Sequence, residues 1–363
     1  MNAEIKSLKD LLERIDSSSS KVFIIGHNDA DFDSIASAIG LQSLCTFLGK
    51  ETYIIVNDAA VMLDPGVKKI KDSNVYVHNI ITMEDYENLK TPNSSLIVTD
   101  TNKVNLVAVK DCLNDFSNII IIDHHQTDSQ TIQNAAYYVD EKASSASEIV
   151  AQLLMNARVN CEPSIYTYLL AGIVLDTGRF KKNTTSKTHD VVKRLINKKA
   201  SSEYVSELFM ADFNDDKKIN DLIFNGSLFE TYEYSLFHTH NVSFTLNREN
   251  PKTVYRREQI AKAADRMLKY SVDAAFVMGY LDDSSVAISA RSKGSINVGR
   301  IMSNLNGGGN SQNAGAKIND MSIEDIEELL RQNITHGIEI FAEESASEET
   351  ATSKQVQKCK VKV

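Results

Sequence analysis

The stretch Lys21–Asp33 reads KVFIIGHNDADFD and contains both a structural and a chemical signal. Its first half is a short run rich in β-branched residues, which is typical of a buried strand. His27 and three acids follow within seven residues, and the next segment, DSIASAIGLQSLCTFLG, has apolar residues at helical spacing. The pattern predicts a strand, a loop and a helix, with Asp33-Ser34 capping the helix.

A similar pattern occurs three more times in the first half of the chain. The segments ETYIIVND (Glu51–Asp58), SSLIVTDTN (Ser94–Asn102) and FSNIIIIDHH (Phe116–His125) are apolar at most positions, with helix-compatible sequence between them. Strands that are apolar on both faces and alternate with helices indicate a parallel sheet covered on both sides. We therefore predict an α/β fold with a parallel sheet of the five-stranded type and helices on both faces.

The second half of the chain predicts a smaller α/β domain with a mixed sheet. YSLFHTHNVSFTL (Tyr234–Leu246) alternates as a strand does, and an amphipathic helix comes next. AAFVMGYLDDSSVAISAR (Ala274–Arg291) is typical of a hairpin that turns at Asp282-Asp283. The predicted organisation is a first domain over 1–190, a helical linker over 191–233, a second domain over 234–342 and a disordered tail over 343–363.

Composition and charge limit the class of protein. The 363 residues are 42% apolar, which is enough for two packed cores, and the net charge of −10 has the wrong sign for a broad duplex-binding face. The four cysteines lack zinc-finger spacing. The sequence shows neither a secretory signal nor the roughly 18 consecutive apolar residues of a membrane span. We expect a cytoplasmic protein with no membrane and no duplex DNA as partner.

Acidic residues and histidines end four separate apolar runs. Besides the group around His27, Asp100 ends one run, Asp123-His124-His125 ends another, and Asp176 ends the run within Tyr166–Phe180. Taken alone, the first group could be a solvated acidic loop, but strand termini converge at one edge of a parallel sheet. Two histidines and four aspartates would then hold two divalent ions about 3.5–4 Å apart, which is the device of phosphoryl hydrolysis, and a carboxylate-rich set favours manganese.

The ordered set H-x3-D-x-D, an isolated strand-end Asp, D-H-H and a later D-T-G-x-F resembles the DHH phosphoesterase superfamily. The resemblance covers about residues 10 to 340 and implies two Mn²⁺ ions. It implies that Asp123 and His125 are the catalytic side chains, with Asp123 orienting His124 and His125 contacting the substrate phosphate. The implied metal ligands are His27 and Asp31 for one ion, Asp33, His124 and Asp176 for the other, and Asp100 as the bridge between them.

The second domain is similar to the substrate-binding domain associated with that superfamily. The resemblance assigns substrate contacts to Arg291 and Ser292, and to the loop of Gly307, Gly308, Gly309 and Asn310. An arginine there can grip a phosphate, and glycines let backbone amides approach an anion. The family pattern has GGGH where this chain has GGGN, and Asn310 cannot become a cation as histidine can. The departure affects the expected affinity for substrate.

Within the superfamily, the motifs are most similar to the catalytic module of bacterial cyclic di-AMP phosphodiesterases, which open the ring to pApA. Those membrane-bound relatives have spanning helices and sensor domains before this module, and we expect neither here. The alternative is an enzyme of the stand-alone branch, which degrades short oligoribonucleotides and dephosphorylates pAp. A nucleotide-binding regulator without catalysis is a third hypothesis. A small nucleotide is the expected partner in each case, and a second copy of the chain, as a homodimer, is a further candidate.

Overall fold

The computed structural model describes residues 3–56, 65–74, 78–210, 212–235, 238–247 and 253–335. These residues form two compact units that divide after Met210. The predicted disordered tail, 343–363, lies outside the described residues.

The first unit is built on a seven-stranded sheet in which every pair of neighbouring strands is parallel. The strands are β1 (Ala3–Glu4), β2 (Lys21–Ile25), β3 (Glu51–Ile55), β4 (Ile80–Ile81), β5 (Ser95–Thr99), β6 (Asn118–Asp123) and β7 (Ala136–Val139). Their order across the sheet is β1-β7-β6-β5-β2-β3-β4. The prediction of a parallel α/β sheet is confirmed, but the sheet has seven strands where the sequence predicts five. The strands that were not quoted above are β1, β4 and β7, which are only two to four residues long.

Helices cover both faces of this sheet because the central strands are apolar at successive positions. In β2, Val22 and Ile24 belong to one buried cluster, whereas Phe23 and Ile25 belong to a cluster on the other face. The helices are α1 (Leu8–Asp16), α2 (Phe32–Phe47), α3 (Pro65–Asn74), α4 (Met83–Leu89), α5 (Ala146–Asn156), α6 (Pro163–Asp176), α7 (Ser186–Asn197) and α8 (Ser202–Leu208). A short 3₁₀ segment spans Lys110–Asp115.

The run that ends at Asp176 is a helix, so it does not supply a strand end. Its apolar sequence continues for longer than an ordinary strand, and Pro163 occupies the first turn of α6, where proline lacks only a hydrogen bond that the helix does not need. Asp176 is the last residue of that helix.

The sheet has a topological switch point between β2 and β5. From β2 the chain continues to β3 and β4 on one side, and β5, β6 and β7 lie on the other. Ligand crevices in open parallel sheets form outside the carboxyl ends of the strands at such a point. The residues that follow β2, β5 and β6 are therefore brought to one edge of the sheet.

The second unit is a six-stranded mixed sheet in the order β12-β13-β11-β10-β9-β8. The predicted hairpin is present, with Tyr280 paired to Val286 across the turn, and β9 pairs with β10 in parallel. The strands are β8 (Ser227–Ser235), β9 (His238–Thr245), β10 (Ala274–Tyr280), β11 (Ser285–Ser292), β12 (Gly308–Gly309) and β13 (Asn313–Asn319). The helices are α9 (Phe213–Gly226), α10 (Arg257–Met267), α11 (Val298–Ser303) and α12 (323–335).

Within the described ranges, no helix combines the length and the apolar character that crossing a lipid bilayer requires.

Candidate metal centre

The loop after β2 and the first turn of α2 place three of the predicted side chains, His27, Asp31 and Asp33, at the edge of the sheet. Asp31 is the N-cap of α2, and its Oδ1 accepts hydrogen bonds from the backbone N–H groups of Asp33 (2.9 Å) and Ser34 (3.0 Å). The predicted cap at Asp33-Ser34 is therefore wrong by two residues, because the extended residue before the first turn is Asp31. The Nε2 atom of His27 lies 3.7 Å from Asp31 Oδ1.

Asp33 is fully buried and is held by the start of another helix. Its Oδ2 accepts from the N–H of Ala146 and its Oδ1 from the N–H of Ser147, both at 2.7 Å. These donors belong to the first turn of α5, where unpaired N–H groups and the helix dipole favour an anion. Gly172 in α6 leaves room for this contact, since a Cβ there would lie 2.3 Å from Ser147 Oγ and 2.8 Å from Asp33 Oδ1.

Asp100 directly follows β5 and is almost completely buried. Its backbone is left-handed, with φ 60°, which is uncommon for a residue other than glycine but tolerated by Asp and Asn. One carboxylate oxygen, Oδ2, lies 3.2 Å from His27 Nε2, and the other, Oδ1, lies 3.5 Å from His124 Nε2. Asp100 therefore lies between the two histidines.

His124 follows β6 and faces three carboxylates. Its Nε2 lies 3.1 Å from Asp176 Oδ2, 3.5 Å from Asp100 Oδ1 and 3.9 Å from Asp33 Oδ2. Asp176 reaches this point from the C-terminal end of α6. A strand end, a loop, a helix start and a helix end thus contribute to one cluster.

The side chains form three overlapping groups that could each hold a metal ion, and Asp100 belongs to all three. The first group is His27, Asp31 and Asp100; the second is Asp33, Asp100, His124 and Asp176; the third is Asp100, Asp123, His124 and His125. Within each group the candidate ligand atoms lie within 4.8 Å of one another. The first two groups contain the residues that the resemblance implies for the two ions, whereas Asp123 and His125, which it assigns to catalysis, occur in the third.

The donor set fits a divalent cation. His124 Nε2 is buried and has no hydrogen bond of adequate geometry among the described residues, although it faces three carboxylates. Burial and the neighbouring Asp100 and Asp176 raise the pKa of Asp33 well above its ordinary value. Burial alone would lower the pKa of His124, but Asp100 and Asp176 outweigh it and raise that pKa to about 11. A bound cation would take the place of these protons, because metal ligands bind in their deprotonated form.

Asp123 and His125 form a pair beside the two groups. Asp123 Oδ1 accepts hydrogen bonds from the backbone N–H of His124 (2.7 Å) and from Nδ1 of the His125 ring (2.8 Å). The sequence predicts that Asp123 orients the His124 ring; the structure instead shows contact with the backbone of His124 and the ring of His125. The reason is the turn after β6, which brings both N–H groups and the His125 ring back onto the carboxylate.

Asn102 is a buried polar residue of this region that the sequence reasoning missed. Its side-chain amide donates to Asp123 Oδ2 at 2.7 Å and to the carbonyl oxygen of His125 at 3.0 Å. The only signal in the sequence is its place two residues after Asp100, in the polar segment that follows a strand, where asparagine is common.

The residues predicted to bind substrate all lie in the second unit, and several already have internal partners. Arg291 Nε donates to Asp265 Oδ1 at 2.6 Å, and Ser292 Oγ accepts from the N–H of Gly294 at 3.0 Å. Asn310 Oδ1 accepts from the N–H groups of residues 312 and 313, so it closes the turn between β12 and β13.

The three glycines of the predicted substrate-binding loop differ in how much room each has for a side chain. A Cβ on Gly307 would lie 2.3 Å from the carbonyl oxygen of Gly315, and Gly309 has φ 136°, so both positions require glycine for the fold. Gly308 is exposed and has no atom within 4 Å of where a Cβ would lie. Gly308 is therefore the position at which a side chain could be added without disturbing the turn.

Two family models match the chain in the order of its two units. The DHH family N-terminal domain matches residues 21–173, and the DHHA1 domain matches residues 243–336. The first range contains all the candidate metal ligands except Asp176, which follows three residues later.

Curated and solved proteins resemble the chain over most of its length. The cyclic-di-AMP phosphodiesterase GdpP of Bacillus subtilis is 30% identical over 89% of this chain, which spans about half (49%) of that relative. The bifunctional oligoribonuclease and PAP phosphatase NrnA of Thermus thermophilus is 24% identical over 86% of this chain and 90% of its own length. The crystal structure of an exopolyphosphatase-related protein from Bacteroides fragilis has the same fold, with a TM-score of 0.70 and 16% identity over 92% of this chain and 97% of its own. With both domains matched in order, the chain belongs to the DHH phosphoesterase family.

Proposed function

We propose that the protein is a metal-dependent phosphodiesterase that acts on a small dinucleotide with two Mn²⁺ ions. The observation that carries the proposal is the pair of ligand groups that share the buried carboxylate of Asp100. His27 and Asp31 would hold one ion, and Asp33, His124 and Asp176 the other. The mixture of imidazole and carboxylate ligands suits manganese better than an all-oxygen site would.

Two such ions would supply an activated water and neutralise charge on the phosphate oxygens. The chain itself orients the His125 ring that would contact the phosphate. Asp123 holds Nδ1 of His125 at 2.8 Å, and the His125 side chain is 54% exposed, so the opposite edge of the ring is free to meet a phosphate. Asp123 raises the pKa of His125, which favours the protonated ring that donates a hydrogen bond to an anion. His125 is the proposed catalytic contact with the substrate, and Asp123 its support.

The proposed substrate is cyclic di-AMP, converted to pApA. Its support is the 30% identity to GdpP across both domains. We further propose that Arg291, Ser292 and the loop from Gly307 to Asn310 bind the nucleotide. Arg291 already donates through Nε to Asp265 and through Nη1 to Ser289 Oγ and the carbonyl oxygen of Ala290, so its role would be to offer its Nη2 donors to a phosphate.

A second candidate function is hydrolysis of short oligoribonucleotides together with dephosphorylation of pAp. The observation in its favour is the match to NrnA, which extends over 90% of that relative's length. Both candidates use the same metal centre, so they differ only in how the substrate is held.

A side-by-side hydrolysis assay tests both candidates. Cyclic di-AMP, pApA, pAp and pyrophosphate are incubated with the protein in Mn²⁺, with EDTA-treated and Asp100→Asn samples as controls. Rapid conversion of cyclic di-AMP to pApA supports the first candidate, and preference for pApA or pAp supports the second. Binding of these nucleotides without turnover of any of them would overturn the proposed function in favour of a regulator.

A further inference from the structure

Asn102 is placed where it can fix both the Asp123 carboxylate and the segment that follows it. It lies in the loop after β5, two residues beyond Asp100, and is fully buried. Its side-chain nitrogen donates to Asp123 Oδ2 at 2.7 Å and to the carbonyl oxygen of His125 at 3.0 Å. The amide therefore holds the support of the His125 ring and the backbone of His125 together.

The two carboxylate oxygens of Asp123 accept hydrogen bonds from different partners. Oδ1 accepts from the backbone N–H of His124, from the backbone N–H of His125 and from the His125 ring, whereas Oδ2 accepts from Asn102. The carboxylate is completely buried, so its rotation is set by these partners alone among the described residues. Without the Asn102 donor, Oδ2 would lose its partner and the plane of the carboxylate would no longer be fixed against the His125 ring.

Asn102, in the loop after β5, also binds the loop between β6 and β7 through hydrogen bonds that do not involve Asp123. Its backbone oxygen accepts from the N–H of Ile132 at 2.8 Å, and its side-chain oxygen accepts from Thr131 Oγ1 at 3.4 Å. A residue that only stabilised the loops would need these bonds and not the one to Asp123. The contact with Thr131 therefore supplies a matched control for loop stability.

We propose that Asn102 is a positioning residue for the reaction: through Asp123 it fixes the ring of His125 toward the substrate phosphate. The inference rests on the proposed function, in which His125 contacts that phosphate. Among the residues that the structure describes, no hydrogen bond of the Asn102 side chain ends on the side chain of a ligand that the proposed function assigns to either ion. Its effect on turnover is thus separable from metal binding.

The test is a set of variants measured for kcat, KM and Mn²⁺ binding. We expect Asn102→Ala to lower kcat ten- to hundredfold, with KM changed less than threefold and Mn²⁺ affinity within twofold of the wild type. Thr131→Val, which removes a bond to the other side of Asn102, should keep kcat within threefold. If Asn102→Ala fails to fold by circular dichroism, Asn102→Ser, whose hydroxyl can still donate one bond, takes its place with a smaller expected loss.

A double-mutant cycle with His125→Ala separates positioning from a general structural role. If Asn102 acts through His125, its substitution costs less than threefold in the His125→Ala background. Equal losses in both backgrounds, or equal losses for Asn102→Ala and Thr131→Val, would overturn the inference.

Nitrogen-15 spectra of the His125 ring provide a readout that does not depend on activity. In the metal-free protein, the Nδ1 resonance should show a hydrogen-bonded N–H that shifts in Asn102→Ala and stays unchanged in Thr131→Val. A wild type that hydrolyses no phosphodiester refutes the proposed function alone, whereas an Nδ1 resonance that Asn102→Ala leaves unchanged refutes the positioning role.

Discussion

Replacing Asp100 with asparagine tests the candidate metal centre most directly. Asparagine has the same shape as aspartate and tolerates the left-handed backbone conformation at this position. The substitution therefore removes the charge of the proposed shared ligand and changes little else. Alanine would combine this loss with backbone strain, so asparagine is the cleaner variant.

The expected loss of kcat in Asp100→Asn follows from the position of the two Asp100 carboxylate oxygens. They lie 3.2 Å from His27 Nε2 and 3.5 Å from His124 Nε2, so Asp100 connects the two ligand groups. A neutral amide cannot balance the charge of two divalent cations. Metal ions stabilise a charged transition state by several kcal/mol, and about 2.7 kcal/mol is already a hundredfold in rate. We therefore expect kcat to fall at least a hundredfold.

The assay is chromatographic turnover of cyclic di-AMP in Mn²⁺, with bound Mn²⁺ counted by electron paramagnetic resonance and folding checked by circular dichroism. Asp140→Asn is the matched control, because Asp140 also follows a strand but its carboxylate accepts from the N–H of Lys142 and lies 3.6 Å from Lys187 Nζ. It should keep kcat within threefold. More than a tenth of wild-type kcat in a folded Asp100→Asn protein would remove Asp100 from the centre and refute the reasoning.

Further predictions concern the groups around this carboxylate and the second unit. Gly172→Ala should destabilise the protein by about 1–3 kcal/mol in urea unfolding and weaken Mn²⁺ binding, because the new methyl group would displace Asp33; unchanged Mn²⁺ affinity would argue against Asp33 as a ligand. Turnover should be faster in Mn²⁺ than in Mg²⁺, and equal rates would contradict the mixed ligand set. Because Asp100 and Asp176 raise the pKa of His124, the metal-free ring is protonated at pH 7, so Mn²⁺ binding should release protons and weaken as pH falls; calorimetry in buffers of different ionisation enthalpy measures this release, and a binding heat independent of buffer would contradict it. Gly308→Ala should raise KM at least threefold with the fold intact if the loop meets substrate, whereas an unchanged KM would place the substrate elsewhere.

The sequence indicates the sheet and most of the metal centre because both depend on local pattern. A buried parallel strand must be apolar on both faces, and the chemistry then follows at its carboxyl end, as at His27, Asp100 and His124. The strands that sequence reasoning misses are two- and four-residue segments such as β1 and β7, which are too short for an apolar run to stand out.

Contacts between distant residues explain what the sequence does not reveal. Asn102 and Asp123 are 21 residues apart, and nothing in a single asparagine after a strand shows that its amide ends on a buried carboxylate. Arg291 and Asp265, 26 residues apart, form an ion pair for the same reason. Asp176 stands out in the sequence as an acid at the end of an apolar run, although that run is a helix.

The cluster of four carboxylates also links folding to metal supply. These carboxylates come from three distant parts of the chain, namely Asp31 with Asp33, Asp100 and Asp176, and the folded state holds their like charges together in a largely buried space. A cation that binds this cluster binds the folded chain and not the unfolded one. At a free concentration one hundred times its Kd, such a cation adds about 2.7 kcal/mol to the free energy of unfolding. If that cation is the proposed Mn²⁺, a change in its concentration would alter both the fraction of folded protein and the rate of the proposed hydrolysis.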